Sequence, residues 1–458
     1  MNRTLMGTAL GVLVAAATLL VVDEAIAEQK EVALSNLQVS RASLENGLRV
    51  VMNQDHTVPT VAISVYYDVG SRNEAKGRSG FAHLFEHMMF QGSANVGKGE
   101  HFSLIINRGG SANGTTSNDR TNYFETLPSN ELALGLWLEA DRMRSLSITQ
   151  ENFENQRMTV MEERRQRIDN QPYIPSMLRI NELAYGEYWP YAHSTIGDMQ
   201  DLIDAPLEAV QEFFDTYYAP NNAVLSISGD FSPEEAMQLV KTYFGEIPVR
   251  ETPAFVEPAP PVQNAERTET MYDANATLPA FHFAYHIPPD RSPDHYALEI
   301  LALVLGDGES SRLYQSLVKE KEICQDIAIG TDDRRGPDLF SAWAVMASGH
   351  APKEAQNAIL AELAAIADKG VTDRELEKAK NRIHAAFVFG LQSNMSRSQR
   401  LAEYELYWGD ANLLKLELDY YLAVSAEDVK RVAGTYFEAS RRTVLNVQPG
   451  TAPDSKEK

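Results

Sequence analysis

One cysteine, Cys324, stands in 458 residues, which excludes an intramolecular disulfide and any cysteine-rich metal site. Basic residues are also scarce, 41 against 64 acidic ones, for a formal net charge of −23. A general nucleic-acid binder needs a basic surface to displace counterions, so that class is excluded. After residue 22 no apolar run is long enough to cross a bilayer as a helix. Core material, by contrast, is plentiful. Hydrophobic residues make up 44% of the chain and aromatics 9%, too much for a disordered chain, and the length suggests two or more packed domains. The acidity serves either solubility or an acidic cavity that attracts cationic substrates.

The amino terminus departs from this pattern. Arg3 precedes an alanine-rich apolar run from Leu5 to Val22, and Ala25-Ile26-Ala27 offers a small-x-small cleavage site. Residues 1–27 therefore read as a signal peptide, with a mature chain from Glu28 exported to the periplasm as a soluble protein. An uncleaved membrane anchor is the other reading of that run. No cysteine adjoins the cleavage site, which excludes an amino-terminal lipid anchor.

Four features recur in order at one long spacing. Val58-Pro59 and Leu278-Pro279 each open an apolar strand (Val61 to Tyr67 and Phe281 to Ile287), 220 residues apart. Thr149 and Thr372, 223 apart, precede long helices and suit N-caps. Thr216-Tyr217-Tyr218 matches Thr435-Tyr436-Phe437 at 219, and Ala223-Val224-Leu225 matches Thr443-Val444-Leu445 at 220. One spacing shared by four features implies a duplicated unit. Within each copy, period-two strands mix with amphipathic helices such as Leu132 to Leu146 and Ala351 to Asp368, and a hairpin pairs Ser111 to Thr116 with Thr121 to Thr126. The expected fold class is α+β: two homologous domains, each a mainly antiparallel sheet packed with helices. The first domain covers 28–247 and the second 266–450, with a flexible tail at 451–458. Between them, residues 248–265 hold Pro248, Pro253, Pro258, Pro260 and Pro261 and read as a stiff linker.

His83-Leu84-Phe85-Glu86-His87 carries the chemistry. Ser79 suits an N-cap and Gly92 a stop, so a helix of about three turns is expected. At 100° per residue Phe81, Leu84, Phe85, Met88 and Met89 form one apolar stripe. His83 and His87 lie opposite it, one turn apart, where two imidazoles can hold one metal ion. Glu86 sits close enough to reach a metal-bound water without being a ligand, as a general base requires. The pattern is the inverted-zincin signature. The second copy has no counterpart, and His282, His286 and His295 read as ordinary polar positions.

The chain resembles the pitrilysin/insulinase family of inverted-zincin metallopeptidases, in its bacterial two-domain, processing-peptidase-like branch. The likeness rests on Gly70-Ser71, Glu74 and Gly80 ahead of His83, and on Gly109-Gly110, Asn113-Gly114-Thr115, Asp119, Thr121 and Tyr123 after it. Pro190-Tyr191, Ile196-Gly197 and Ser310-Ser311-Arg312-Leu313-Tyr314 extend it over the mature chain. It implies two similar domains facing each other across a substrate chamber, one Zn²⁺ per chain, and hydrolysis of peptides or unfolded segments with Glu86 as catalytic base. The third ligand to join His83 and His87 is then a glutamate of Val160-Met161-Glu162-Glu163. Glu163, at the edge of the stripe marked by Phe153, Val160, Arg164 and Ile168, fits better than Glu162 on the far side. Gln156 stands where the family often has glutamate and shares a helical row with Glu163, from which it could hydrogen-bond a ligand. Asn113, Gly114 and Thr115 resemble the family's substrate-binding edge, where a peptide adds as an extra strand. The family's substrate-contacting Arg and Tyr fall on Val318 and Gln325, which cannot replace them. A homologous partner subunit donating that pair is the resulting expectation, with a catalytically silent subunit or a non-peptide zinc hydrolase as the alternatives.

Overall fold

The computed structural model describes residues 37–252, 254–255, 257–258 and 261–452. The proposed signal peptide, and residues 453–458 of the proposed tail, lie outside them.

Strands β2 (Arg49–Gln54), β3 (Thr60–Tyr67) and β6 (Ala223–Gly229) are almost continuously buried, as expected of central strands covered on both faces. With β1 (Val39–Ser43), β4 (Ser111–Thr116) and β5 (Thr121–Pro128) they form a six-stranded sheet in the order β1-β2-β6-β3-β5-β4. The second sheet contains β7 (Arg267–Asp273), β8 (Ala280–Ile287), β9 (Cys324–Thr331), β10 (Asp338–Met346) and β11 (Arg442–Pro449) in the order β7-β11-β8-β10-β9. Without β1 the two orders are the same: first, last, second, fourth, third. Each sheet has one parallel pair, β2 with β6 and β7 with β11, and is otherwise antiparallel. The spacing of about 220 residues read from the sequence is thus a repeat of whole topology. The fold is α+β with two homologous domains.

One face of the first sheet is covered by helices of its own half. The other is covered by the helix Asn394–Trp408 from the second half. There Leu401, Ala402 and Leu406 join Val51, Tyr66 and Val224 in one apolar cluster. Arg397 reinforces it, donating to Asp55 at 2.6 Å and Asn53 at 3.0 Å. The helix Ile174–Tyr185 makes the reverse journey, packing Ile180, Ala184 and Tyr185 against Ala284, Leu339 and Leu445 of the second sheet. Its Ser176 meets His282 at 2.8 Å, while His286 meets the Ala184 carbonyl at 2.9 Å. Each half therefore completes the other's core.

The proline-rich connection carries no helix or strand among its described residues. It is anchored along its length: Phe255 lies under the Arg72 guanidinium at 3.8 Å, and Gln263 donates to the Arg442 carbonyl at 2.7 Å.

Since the exchanged helices bind the halves together, truncating Leu401 to alanine should cost about 2–5 kcal/mol. Urea unfolding of Leu401→Ala should remain one cooperative transition at a lower midpoint. Two separate transitions would contradict mutual completion of the cores.

Candidate metal centre

The helix Phe81–Met88 buries Phe81, Leu84, Phe85 and Met88 among Ile63, Val65, Leu127 and Leu136. Full burial of such side chains contributes about 1.5–3 kcal/mol each, which fixes the rotation of the helix and turns His83, Glu86 and His87 away from the core. Its N-terminus differs from expectation. Ser79 is not the cap: its hydroxyl donates to Asp201 at 2.6 Å and accepts from the Asp198 N–H at 2.8 Å. Gly80 takes the N-cap position at φ +87°, leaving no side chain there to accept. The buried carboxylate of Glu74 does so instead, accepting from the N–H groups of Gly80 at 2.8 Å and Ala82 at 2.7 Å. Burial raises its pKa, opposed by His193 and those amides. Gly92 does not end the helix either; it stops at Met88, with Met89 as C-cap.

The helix Gln150–Arg164 begins at Thr149, whose hydroxyl accepts from the Asn152 N–H at 3.2 Å as expected of an N-cap. It carries Glu163 to the histidines: Glu163 Oε2 lies 3.3 Å from His87 Nε2 and 3.8 Å from His83 Nε2. Arg167 holds the other Glu163 oxygen at 2.8 Å. Neighbouring Glu162 points outward and pairs with Arg165 and Gln166. Gln156 is buried and donates to Asn155 at 2.7 Å. Burial lowers the pKa of both imidazoles. For His83, with His87 and Arg167 adding to the effect, it falls to about 4. For His87, Glu163 and Gln156 offset part of the burial effect. Neutral rings present lone pairs, as a metal requires.

These residues fit a zinc ion. One ligand atom from each of His83, His87 and Glu163 lies within 4.8 Å of the others. Tetrahedral zinc with bonds of 2.0–2.2 Å sets its ligand atoms about 3.3–3.6 Å apart, which brackets the closer carboxylate–imidazole separation and nearly reaches the wider one.

Glu86 is placed differently. It belongs to no ligand triad; its Oε2 accepts from the Thr116 hydroxyl at 2.6 Å, and burial raises its pKa. Above it runs β4, the edge strand. A Cβ on Gly114 would lie 3.1 Å from Glu86 Cγ and 3.2 Å from the Tyr123 ring, so a side chain there would push against Glu86 and Tyr123. Asn113, Gly114 and Thr115 line a cavity of about 870 Å³ together with His83, Glu86, His87 and Glu163.

Val318 and Gln325 line neither cavity at this site. Val318 packs on the second half's core and Gln325 is exposed. The second half contributes Arg334, held between the rings of Tyr185 and Tyr191 at 4.8 and 4.9 Å from their centroids. Sequence reading missed this residue and the roles of Glu74 and Thr116. An Arg334-Arg335 pair in so acidic a chain was the one available signal.

Two other groups of metal-ligand side chains occur among the described residues. In His101, Glu125 and Glu139, all buried, the Arg142 guanidinium already forks onto Glu139. The other is His295, Glu299 and Asp333. His295 thus stands in a group of ligand-type side chains. Near it, burial and like charge push Asp290 and Glu299 up to about 7.

Known proteins match both halves. The model of the insulinase family (peptidase family M16) matches residues 49–185, and that of the peptidase M16 inactive domain matches 204–383. The zinc protease PqqE of Helicobacter pylori is 30% identical over 414 residues, 89% of this chain and 92% of that protein. An uncharacterized zinc protease of Bacillus subtilis, YmxG, is 23% identical over 91% of this chain and 100% of its own length. Among solved structures, a protease from Helicobacter pylori superposes with a TM-score of 0.84 at 30% identity, covering 90% of this chain and 100% of that one. These matches reach both halves, and the chain belongs to the insulinase family of peptidases, family M16.

Proposed function

We propose that the chain is a zinc-dependent endopeptidase acting on peptides or unfolded segments, with His83, His87 and Glu163 holding one Zn²⁺ per chain. The observation that carries this reading is Glu86: a carboxylate beside three convergent ligands and directly beneath an unpaired strand edge. When bound, zinc supplies Lewis-acid polarisation and lowers the pKa of a water molecule towards neutrality. Glu86 would take a proton from the attacking water and pass it to the leaving amine. The Thr116 hydroxyl holds one Glu86 oxygen and leaves the other for proton transfer. An extended substrate pairs along Asn113, Gly114 and Thr115, so main-chain hydrogen bonds place its scissile carbonyl without demanding a particular side chain.

We infer further that the chain is the catalytic subunit of a heterodimer. The walls of the metal-site cavities come from the first half except for Arg334, and Val318 and Gln325 offer no cationic or phenolic donor. A homologous partner would supply an Arg and a Tyr to stabilise the developing oxyanion and would close the chamber. Export to the periplasm through a cleaved leader completes the reading; among the described residues no helix is long and apolar enough to cross a membrane.

Glu86→Gln should lower peptide cleavage by about 10²–10⁴-fold with zinc content unchanged by mass spectrometry; retained cleavage would sink the general-base role. Glu163→Gln should lose zinc, while Glu162→Gln keeps it, and the reverse result would exchange the ligand assignment. Co-expression with a homologue carrying the missing Arg and Tyr should raise turnover well above that of the chain alone. If no homologue changes turnover, the heterodimer reading fails; if no peptide is cut under any condition, the silent subunit becomes the better reading.

A further inference from the structure

A second group of ligand-type side chains lies where the halves meet. His295 and Glu299 stand one turn apart on the helix His295–Gly306, the same i, i+4 spacing as His83 and His87. Asp333 comes from the β9–β10 connection, and one ligand atom from each of the three lies within 4.8 Å of the others. Asp290 and Glu403 border the same cavity of about 310 Å³, Glu403 arriving on the exchanged helix Asn394–Trp408.

Two observations distinguish this cavity from an ordinary acidic surface. His295 is 1% exposed and its Nδ1 has no hydrogen-bond partner; its Nε2 faces Asp290 at 3.2 Å, Glu299 at 3.5 Å and the Tyr421 hydroxyl at 3.4 Å, and that hydroxyl also donates to Glu299. The charge is also unbalanced. Four carboxylates, Asp290, Glu299, Asp333 and Glu403, share the cavity with Arg400, which lies over the Phe387 ring at 4.8 Å. Arg291 nearby is already paired with Glu417. Crowding like charge into a partly buried space is costly, and either proton uptake or an entering cation relieves it. The His101 group differs, because Arg142 already supplies a positive charge there.

We propose that the cavity is a second divalent-cation site, with His295, Glu299 and Asp333 as ligands and Asp290 and Glu403 beside them. Several carboxylates with one imidazole suit Mn²⁺ or Zn²⁺ better than a soft ion or one that keeps mostly water ligands. Its place in the chain gives it a structural role. Asp333 is followed by Arg334, which lines the His83 cavity, and by Arg335, which bonds Asp68 at 2.5 Å and reaches Asp119 with its N–H at 3.3 Å. A cation on Asp333 therefore ties the second half's loop to the wall of the metal centre.

The test uses the full chain with Glu163→Gln to remove the first site, stripped with chelator and titrated with Mn²⁺ by electron paramagnetic resonance. One Mn²⁺ per chain should bind and raise the melting temperature by several degrees. Adding Glu299→Gln and Asp333→Asn should weaken binding at least tenfold and abolish that rise. No bound Mn²⁺ in Glu163→Gln, or undiminished binding after the two further substitutions, would overturn the site. The melting shift is read with the cavity intact, so it stands even where the triple variant fails to fold. Zinc content of the otherwise wild-type chain separates the two readings. Two equivalents falling to one with Glu299→Gln and Asp333→Asn supports the second site, whereas two retained in Glu163→Gln faults only the first.

Discussion

The burial of one helical stripe sets up the metal centre. Phe81, Leu84, Phe85 and Met88 leave water in the core between the first sheet and the neighbouring helices, where Phe85 meets Phe213, Phe214 and Tyr218, and that burial turns His83, Glu86 and His87 outward together. The remaining parts act on this rotation. Glu74 satisfies the free N–H groups at the start of the helix from a buried position, Gln150–Arg164 brings Glu163 within 3.3 Å of His87, and β4 approaches Glu86 because Gly114 has no side chain to obstruct it. Loss of the stripe would remove the shared reference for all of them.

A duplicated unit ordinarily gives two cores that could exist apart. Here each half lends a helix to the other's sheet, so Asn394–Trp408 and Ile174–Tyr185 turn two sheets into one mechanical unit. The exchange brings second-half residues to the back of the first sheet, and the β9–β10 connection carries Arg334 to the metal-site cavity. Although it has no His-x-x-Glu-His pattern, the second half is therefore more than a scaffold. It positions part of the cavity wall and gathers the acidic group around His295.

Local, periodic features were legible in advance. Strands β3 and β8, the β4–β5 hairpin and the Thr149 and Thr372 caps follow from patterns a few residues long, and the repeat follows from spacing alone. Errors came where a distant group won a local contest. Ser79 looks like a cap from its neighbours, but Asp201, more than a hundred residues away, takes its hydroxyl, and Glu74 takes over because Gly80 is left-handed. The surroundings of His295 were legible only in part: Asp290 and Glu299 lie near it in the chain, but Asp333 and Glu403 come from other elements.

By itself the sequence determined that two imidazoles and a carboxylate share one face of a helix, because a 3.6-residue period and an apolar stripe leave no other arrangement. It determined the twofold repeat for a similar reason, and its single cysteine already excluded a cysteine-rich metal site. Tertiary structure alone decided how close Glu163 comes, what holds the helix start, how tightly residue 114 packs on Glu86, and where the excess negative charge collects. Each of those depends on distances between elements far apart in the chain, which side-chain periodicity does not encode.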